Sequence, residues 1–288
     1  MAKESISELL RTLRRNQKKY LSFRGVHYVD IGYKYKNEKR LEKICLRFHV
    51  HKKLQKKFIN LDAIPSLLHG IKTDIIVSNP IPQSRYGTSF TTLTGGIEIE
   101  NPYEGSRGTL GAILLNSENR PVGLTNYHVL FGKNGQLNDM VVQPAKLQPP
   151  REDIVGIITG GTPQLDCACF IINNSRDIDR GIFQASANLA NKLAPTHGLL
   201  VRKSGVATDV TYGLIDGIGA DNSFSIVNHP VKANDGNILS SAGDSGSIWV
   251  SDSDPSLGVG LHFIGDVDGR RARAYDLGAV MIALSIHF

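Results

Sequence analysis

The sequence predicts a mainly β protein, a barrel or sandwich preceded by a small α+β module, and three observations carry that expectation. From residue 108 onward, short apolar segments recur with Gly-, Asn- and Asp-rich turns between them and hardly any helical period. One amphipathic helical pattern stands at the amino terminus, ahead of β-rich segments. Charge is divided along the chain as well: residues 1–60 hold 17 Lys/Arg and 5 Asp/Glu, a net of +12, whereas residues 61–288 hold 16 and 22, a net of −6. The overall +6 therefore describes neither part, and a uniformly basic nucleic-acid coat is excluded. With 41% hydrophobic residues the chain can build a real core, which excludes global disorder.

In chain order, residues 4–20 place Ile6, Leu9, Leu10, Leu13 and Leu21 on one helical face, with Arg11, Arg14, Arg15, Lys18 and Lys19 on the rest. Two β-rich segments follow, Val26 to Ile31 and Lys43 to Val50, with the charged stretch KYKNEKR between them as a hairpin loop. Leu61 to Gly70 reads as a short helix capped by Asp62, and Ile71 to Val77 as another strand. These make a basic α+β module over 1–79. Residues 80–107 turn to Pro, Gly, Ser and Thr, as expected of a linker or lead-in. Over 108–288 the expected strands start near Leu110, Val122, Met140, Ile154, Asp166, Leu199, Asp209, Phe224, Ser247, Gly258 and Ala272.

Polar or charged residues interrupt every apolar run well before the roughly 18 positions a membrane helix needs, so no membrane association is expected. The basic amino terminus lacks an apolar signal region, and a cytoplasmic address is expected. Three cysteines, Cys45, Cys167 and Cys169, cannot all pair within one chain and are expected as thiols. The C-x-C pair lacks a second ligand pair at a recognised spacing, so it reads as two small hydrophobes; neither a metal nor a cofactor is expected.

Three short motifs point to chemistry. In Gly243-Asp244-Ser245-Gly246-Ser247, glycines on both sides let the backbone bend sharply and expose a hydroxyl, although the same residues also make an ordinary turn. Thr125-Asn126-Tyr127-His128-Val129 puts a histidine at the end of an apolar strand. Leu165-Asp166-Cys167-Ala168-Cys169 puts an acid at the mouth of another, where an unpaired carboxylate is costly to desolvate and needs a partner.

With these motifs in the order His, Asp, Ser, the sequence resembles the chymotrypsin-fold serine peptidases. It is further similar to bacterial trypsin-like peptidases with a small amino-terminal α/β domain, a group that also looks like the plant Narrow Leaf proteins. That similarity runs through GVHYVDIGYKYKNEKRLEKICLRFHVHKK, GTLGAIL, VRKSGVATDVTYGLIDGI and GVGLHFIGD. The resemblance implies two six-stranded barrels behind the α+β module and a serine endopeptidase with His128, Asp166 and Ser245 as its triad. The Gly243 and Ser245 N–H groups would form the oxyanion hole, with Asp244 bracing the loop. It puts Leu239, His262 and Gly265 in the substrate site. Leu239 stands where trypsin-like enzymes carry an acid, so a preference for Arg or Lys is not expected. The stretch Gly260 to Gly265 resembles GIHWGG of staphylococcal glutamyl endopeptidases, whose histidine lines a glutamate pocket. His262 is accordingly expected either to read an acidic substrate residue or simply to pack in the pocket wall. Phe263 stands where many relatives carry a serine that bonds the aspartate, so Asp166 must find another partner. Glu98, Glu100 and Glu104 would then suit self-cleavage in the linker.

The basic module contains three clusters: the helical cations, Lys34 to Arg40, and Lys52 to Lys57. The expected partners are a protein substrate, an activating or regulatory protein docked on the basic surface, and a second copy of the chain. Nucleic acid is the lesser alternative, with Tyr20, Tyr28, Tyr33 and Tyr35 for stacking. Two non-enzymatic readings stay open, a protease-like scaffold and a nucleic-acid-binding regulator.

Overall fold

The structure is a computed structural model that describes the chain except residues 1–5, 24, 37–38, 51–63, 79, 82–87, 105, 146–152 and 186–187. Helix α1 (Ile6–Leu21) opens the described chain and buries Leu9, Leu13 and Tyr20, leaving Arg11, Arg14, Arg15, Lys18 and Lys19 in solvent. It packs on strands β1 (Val26–Lys36) and β2 (Lys39–Val50), where Val29, Ile31, Leu46 and Phe48 complete a small core. Next come β3 (Leu67–Leu68), β4 (Ile71–Val77) and β5 (Pro80–Ile81). The helix expected over 61–70 is corrected here. Asp62 lies outside the described residues, but Leu67 and Leu68 pair with Lys72 and Ile71 across a tight turn. His69 (φ 49°) and Gly70 (φ 81°) make that turn with the positive φ angles a two-residue hairpin loop favours, so Gly70 reverses a strand instead of ending a helix.

The next strands are β6 (Thr92–Gly95), β7 (Glu98–Asn101), β8 (Ser106–Thr109), β9 (Ala112–Asn116) and β10 (Pro121–Thr125). A single-turn helix, α2 (Tyr127–Leu130), leads on to β11 (Met140–Val142), β12 (Ile154–Thr162), β13 (Cys167–Ile172) and β14 (Asp177–Ile182). Residues 80–107, expected as a linker, thus hold strands. Glu98 and Glu100 on β7 are buried, and Glu104 accepts the Lys133 and Asn134 N–H groups at 2.6 and 2.7 Å. Self-cleavage after these glutamates would therefore require the segment around them to open first.

The second half contains β15 (Asn191–Lys192), β16 (Leu200–Gly205), β17 (Asp209–Gly219), β18 (Ser223–Asn228) and β19 (Ile248–Ser251). It ends with β20 (Leu257–Asp266), β21 (Arg271–Asp276), helix α3 (Leu277–Leu284) and β22 (Ile286–His287). Strands β16-β19-β20-β21-β18-β17 form a barrel closed by the β16–β17 pairing. Strands β22-β9-β10-β13-β12-β11-β7-β8 curl into an open half-barrel. Each has its own core, and a third apolar cluster joins Leu114, Leu124, Cys167 and Cys169 of the half-barrel to Ile248, Val250 and Leu261 of the closed one. Burial pushes the Cys167 thiol up to about 12, so it serves as a small apolar side chain. No helix among the described residues is long and apolar enough to cross a membrane.

The amino-terminal strands extend the closed barrel's sheet, since Asp30, Ile31 and Gly32 of β1 pair with Gly219, Ile218 and Gly217 of β17. A buried guanidinium fixes this junction. Arg47 bonds Asp30 through two nitrogens at 2.7 and 2.6 Å, the Ser225 hydroxyl at 2.6 Å, and the Asp216 carboxylate. Gly32 and Gly217 are required there, because a Cβ at either would overlap the Arg47 side chain. Burial would raise the Asp30 carboxyl, but Arg47 holds it well below the usual carboxylate range.

Candidate active site

His128 and Asp166 come together at the open rim of the half-barrel. Thr125 ends β10, and α2 turns the His128 side chain back over the β12–β13 hairpin, where Asp166 adopts a left-handed φ of 41° before β13. The Asp166 carboxylate grips His128 at two points. Its Oδ1 accepts the His128 backbone N–H at 2.9 Å, and its Oδ2 lies 2.7 Å from Nδ1. A carboxylate accepts only, so Nδ1 carries the proton in this arrangement and Nε2 presents its lone pair. The Asn126 side chain donates to the Asp166 carbonyl at 2.7 Å and holds the turn itself. The partner that Asp166 needs in place of a serine is thus the His128 backbone, while Phe263 stacks on Tyr275 with ring centroids 4.4 Å apart.

Ser245 lies on a loop clamped between the two halves. Gly243 (φ 108°) and Gly246 (φ 95°) take angles that side chains resist, and a Cβ at Gly246 would overlap the Thr109 carbonyl and the Thr125 hydroxyl. From the half-barrel, Thr109 donates its N–H to the Ser245 carbonyl at 2.7 Å and its hydroxyl to the Gly243 carbonyl at 2.6 Å. From the closed barrel, the His262 carbonyl accepts the Gly246 N–H at 2.9 Å and the Ser247 carbonyl accepts the His262 N–H at 2.8 Å. The Gly243 and Ser245 N–H groups, expected at the oxyanion hole, bond to no described backbone carbonyl. Ser245 Oγ has the Phe263 carbonyl at 3.5 Å, and among the described residues His128 Nε2 has no hydrogen-bond partner. The structure therefore joins two of the three expected triad members by hydrogen bonds and leaves the third unjoined.

Asp244 is held by five donors: Lys203 Nζ at 2.8 Å, the Thr208 hydroxyl at 2.7 Å, and the N–H groups of Ala207, Thr208 and Ser241 at 3.0, 3.2 and 3.0 Å. Lys203 and Asp244 are both fully buried. Burial would raise the Asp244 carboxyl, yet the Lys203 ammonium holds it below its ordinary value.

Of the expected substrate residues, Leu239 packs in the core of the closed barrel with Val201, Phe224 and Trp249. Gly265 lies on β20, paired with Ile81. His262 is fully buried, edge-on to Trp249 at 6.2 Å, and neither ring nitrogen makes a hydrogen bond of good geometry among the described residues, although the Arg273 backbone lies near enough to favour the charged ring. Burial, reinforced by Lys203, pushes its imidazole down to about 3, so the ring is neutral. Ser240, next to Leu239, has a hydroxyl that is likewise buried and unpartnered. Sequence reasoning did not single out Asn126, Thr109, Lys203 or Ser240. Asn126 and Lys203 lie inside quoted stretches, two residues before His128 and in VRKSG, and Ser240 lies in the run leading to the serine loop, but none of these places announces the role. Among the described residues, no cluster of three or more His, Cys, Asp or Glu is arranged to hold a metal ion.

The closed barrel, the curled half-barrel and a serine loop clamped between them define a chymotrypsin-like two-barrel fold behind an α+β extension. Two solved structures similar to it are Thermobifida fusca Protease A and a glutamic acid-specific serine protease that uses a histidine triad in substrate binding. The first is 15% identical, with 68% of this chain and 97% of that chain covered and a TM-score of 0.50. The second is 17% identical, with coverage of 67% and 98% and a TM-score of 0.52. At such identities the likeness establishes the fold, and the chemistry has to be argued from the residues. No protein-family profile and no curated protein matches the chain.

Proposed function

We propose that this protein is a serine endopeptidase that cuts peptide bonds through an acyl-enzyme. The observation that carries the reading is the two-point grip of Asp166 on His128, which puts the proton on Nδ1 and leaves Nε2 as a base. In the proposed reaction Ser245 Oγ attacks the scissile carbonyl while His128 Nε2 takes its proton, and His128 then delivers that proton to the departing amine. Asp166 stabilises the imidazolium formed between the two steps. The Gly243 and Ser245 N–H groups, free of described backbone acceptors, receive the oxyanion. Water then repeats the sequence on the ester. The contact between Ser245 and His128 forms when substrate binds, since catalytic hydrogen bonds are often open in empty sites. An acidic residue before the scissile bond fits the unpartnered polar atoms: a neutral His262 ring and the Ser240 hydroxyl each offer a proton to a carboxylate.

The open Ser245–His128 contact favours a second reading, a protease-like scaffold without turnover. A fluorophosphonate probe separates the two. Wild-type protein is expected to form a covalent adduct that Ser245→Ala does not form. Absence of an adduct on folded wild-type protein would leave the scaffold.

A further inference from the structure

We infer that Pro80 and Ile81 occupy the strand edge on which an extended substrate peptide lies, so that the chain's own segment competes with substrate for access to Ser245. The inference rests on the protease reading above. Strand β20 is paired along one flank by β21 as far as Gly265. Along the other flank β19 stops at Leu261, and the serine loop takes His262. Beyond it, β5 pairs Ile81 with Gly265 and Pro80 with Asp266, antiparallel to β20. Proline has no N–H, so Pro80 cannot exchange both backbone bonds with Asp266, and Ile81 opposite Gly265 is the position that can.

Phe263 lies between these two attachments. The β20–β21 pairing slips between His262 and Ile264, and the Phe263 carbonyl reaches to 3.5 Å from Ser245 Oγ. Gly265 is two residues further along the strand, about 7 Å away. A peptide whose carbonyl is to meet Ser245 must satisfy its own backbone groups on the way, and the β20 edge at Phe263 and Gly265 is the strand edge beside the nucleophile. A glycine at 265 leaves that edge without a side chain. The same backbone groups of Gly265 cannot bond Ile81 and an incoming peptide together. Substrate therefore has to displace β5, and the amino-terminal side of the chain sets how readily it can do so.

The full-length protein and its Ile81→Pro variant, which loses the Ile81 N–H, are compared in two assays. One is labelling by a small fluorophosphonate, too short to lie along β20. The other is hydrolysis of a short internally quenched peptide with Glu before the scissile bond. Equal labelling rates with a KM about tenfold lower in the variant and unchanged kcat are expected, the order of effect of one or two backbone hydrogen bonds. An unchanged or higher KM overturns the inference. So does loss of labelling in the variant alone, which would make β5 a support of the site and not its competitor. If neither protein is labelled, the protease reading itself fails and the inference falls with it.

Discussion

At the scale of single residues, the orphaned groups say most about specificity. An unpartnered buried polar atom costs about 1–3 kcal/mol, and among the described residues the His262 ring, which has only the Arg273 backbone nearby, and the Ser240 hydroxyl are such groups. A substrate carboxylate would bond some of these atoms, whereas an apolar side chain would leave all of them orphaned, and a charge-assisted bond contributes roughly 1.5–3 kcal/mol. Cleavage of a peptide library is therefore expected to be enriched in Glu or Asp before the scissile bond, and His262→Leu to lose that enrichment by roughly tenfold or more. Enrichment of basic or aromatic residues there would refute the acidic preference. The three residues of the proposed triad were legible because each sits in a local pattern: glycines around Ser245, a strand end before His128, an acid at a strand mouth at Asp166. Asn126, Thr109 and Lys203 act across 40, 134 and 41 positions of chain, and no local pattern encodes such partnerships.

At the scale of elements, the junction between β1, β2 and the closed barrel depends on Arg47. Its guanidinium is wholly buried among Asp30, Asp216 and Ser225. Removing one partner of such a group leaves the others desolvated, so Arg47→Ala is expected to lower the unfolding free energy by about 3–5 kcal/mol. Urea unfolding measures this, and a loss below about 1 kcal/mol would mean the junction rests on the β1–β17 backbone pairing instead. Individual strands were legible from alternation and turn residues. The β1–β17 pairing was not, because a register between segments nearly 200 residues apart has no signature in either one. The tyrosines show the same limit. Tyr20 and Tyr28 are buried, and Arg273, Arg40 and Arg271 lie over the rings of Tyr28, Tyr33 and Tyr35 at 4.0, 4.5 and 4.9 Å, contacts within the fold that no local pattern announces.

At the scale of the whole molecule, stability responds to pH through the seam where the amino-terminal segment meets the barrel. Asp266, opposite Pro80, has its carboxyl raised from 3.8 to about 6 by burial, which the nearby Arg273 and Arg271 only partly offset. A raised carboxyl means that the folded state holds its proton more tightly than the unfolded chain. Its contribution is therefore fully present below 3.8 and is lost as pH rises to about 6. Asp266→Asn cannot titrate. The variant's unfolding free energy, measured relative to wild type, is expected to rise across that window and stay level above it. A constant difference at every pH would show that folding does not shift the Asp266 carboxyl.

The bond between Lys203 and Asp244 has a consequence for how such a molecule is controlled. The cation that shapes the serine loop is a side chain from the middle of the same polypeptide, locked out of solvent once the barrel closes. The loop's shape is thus held by a side chain of the fold itself, one element away in the closed barrel. On the protease reading proposed above, restraint falls on entry to the site, at the short strand paired with β20.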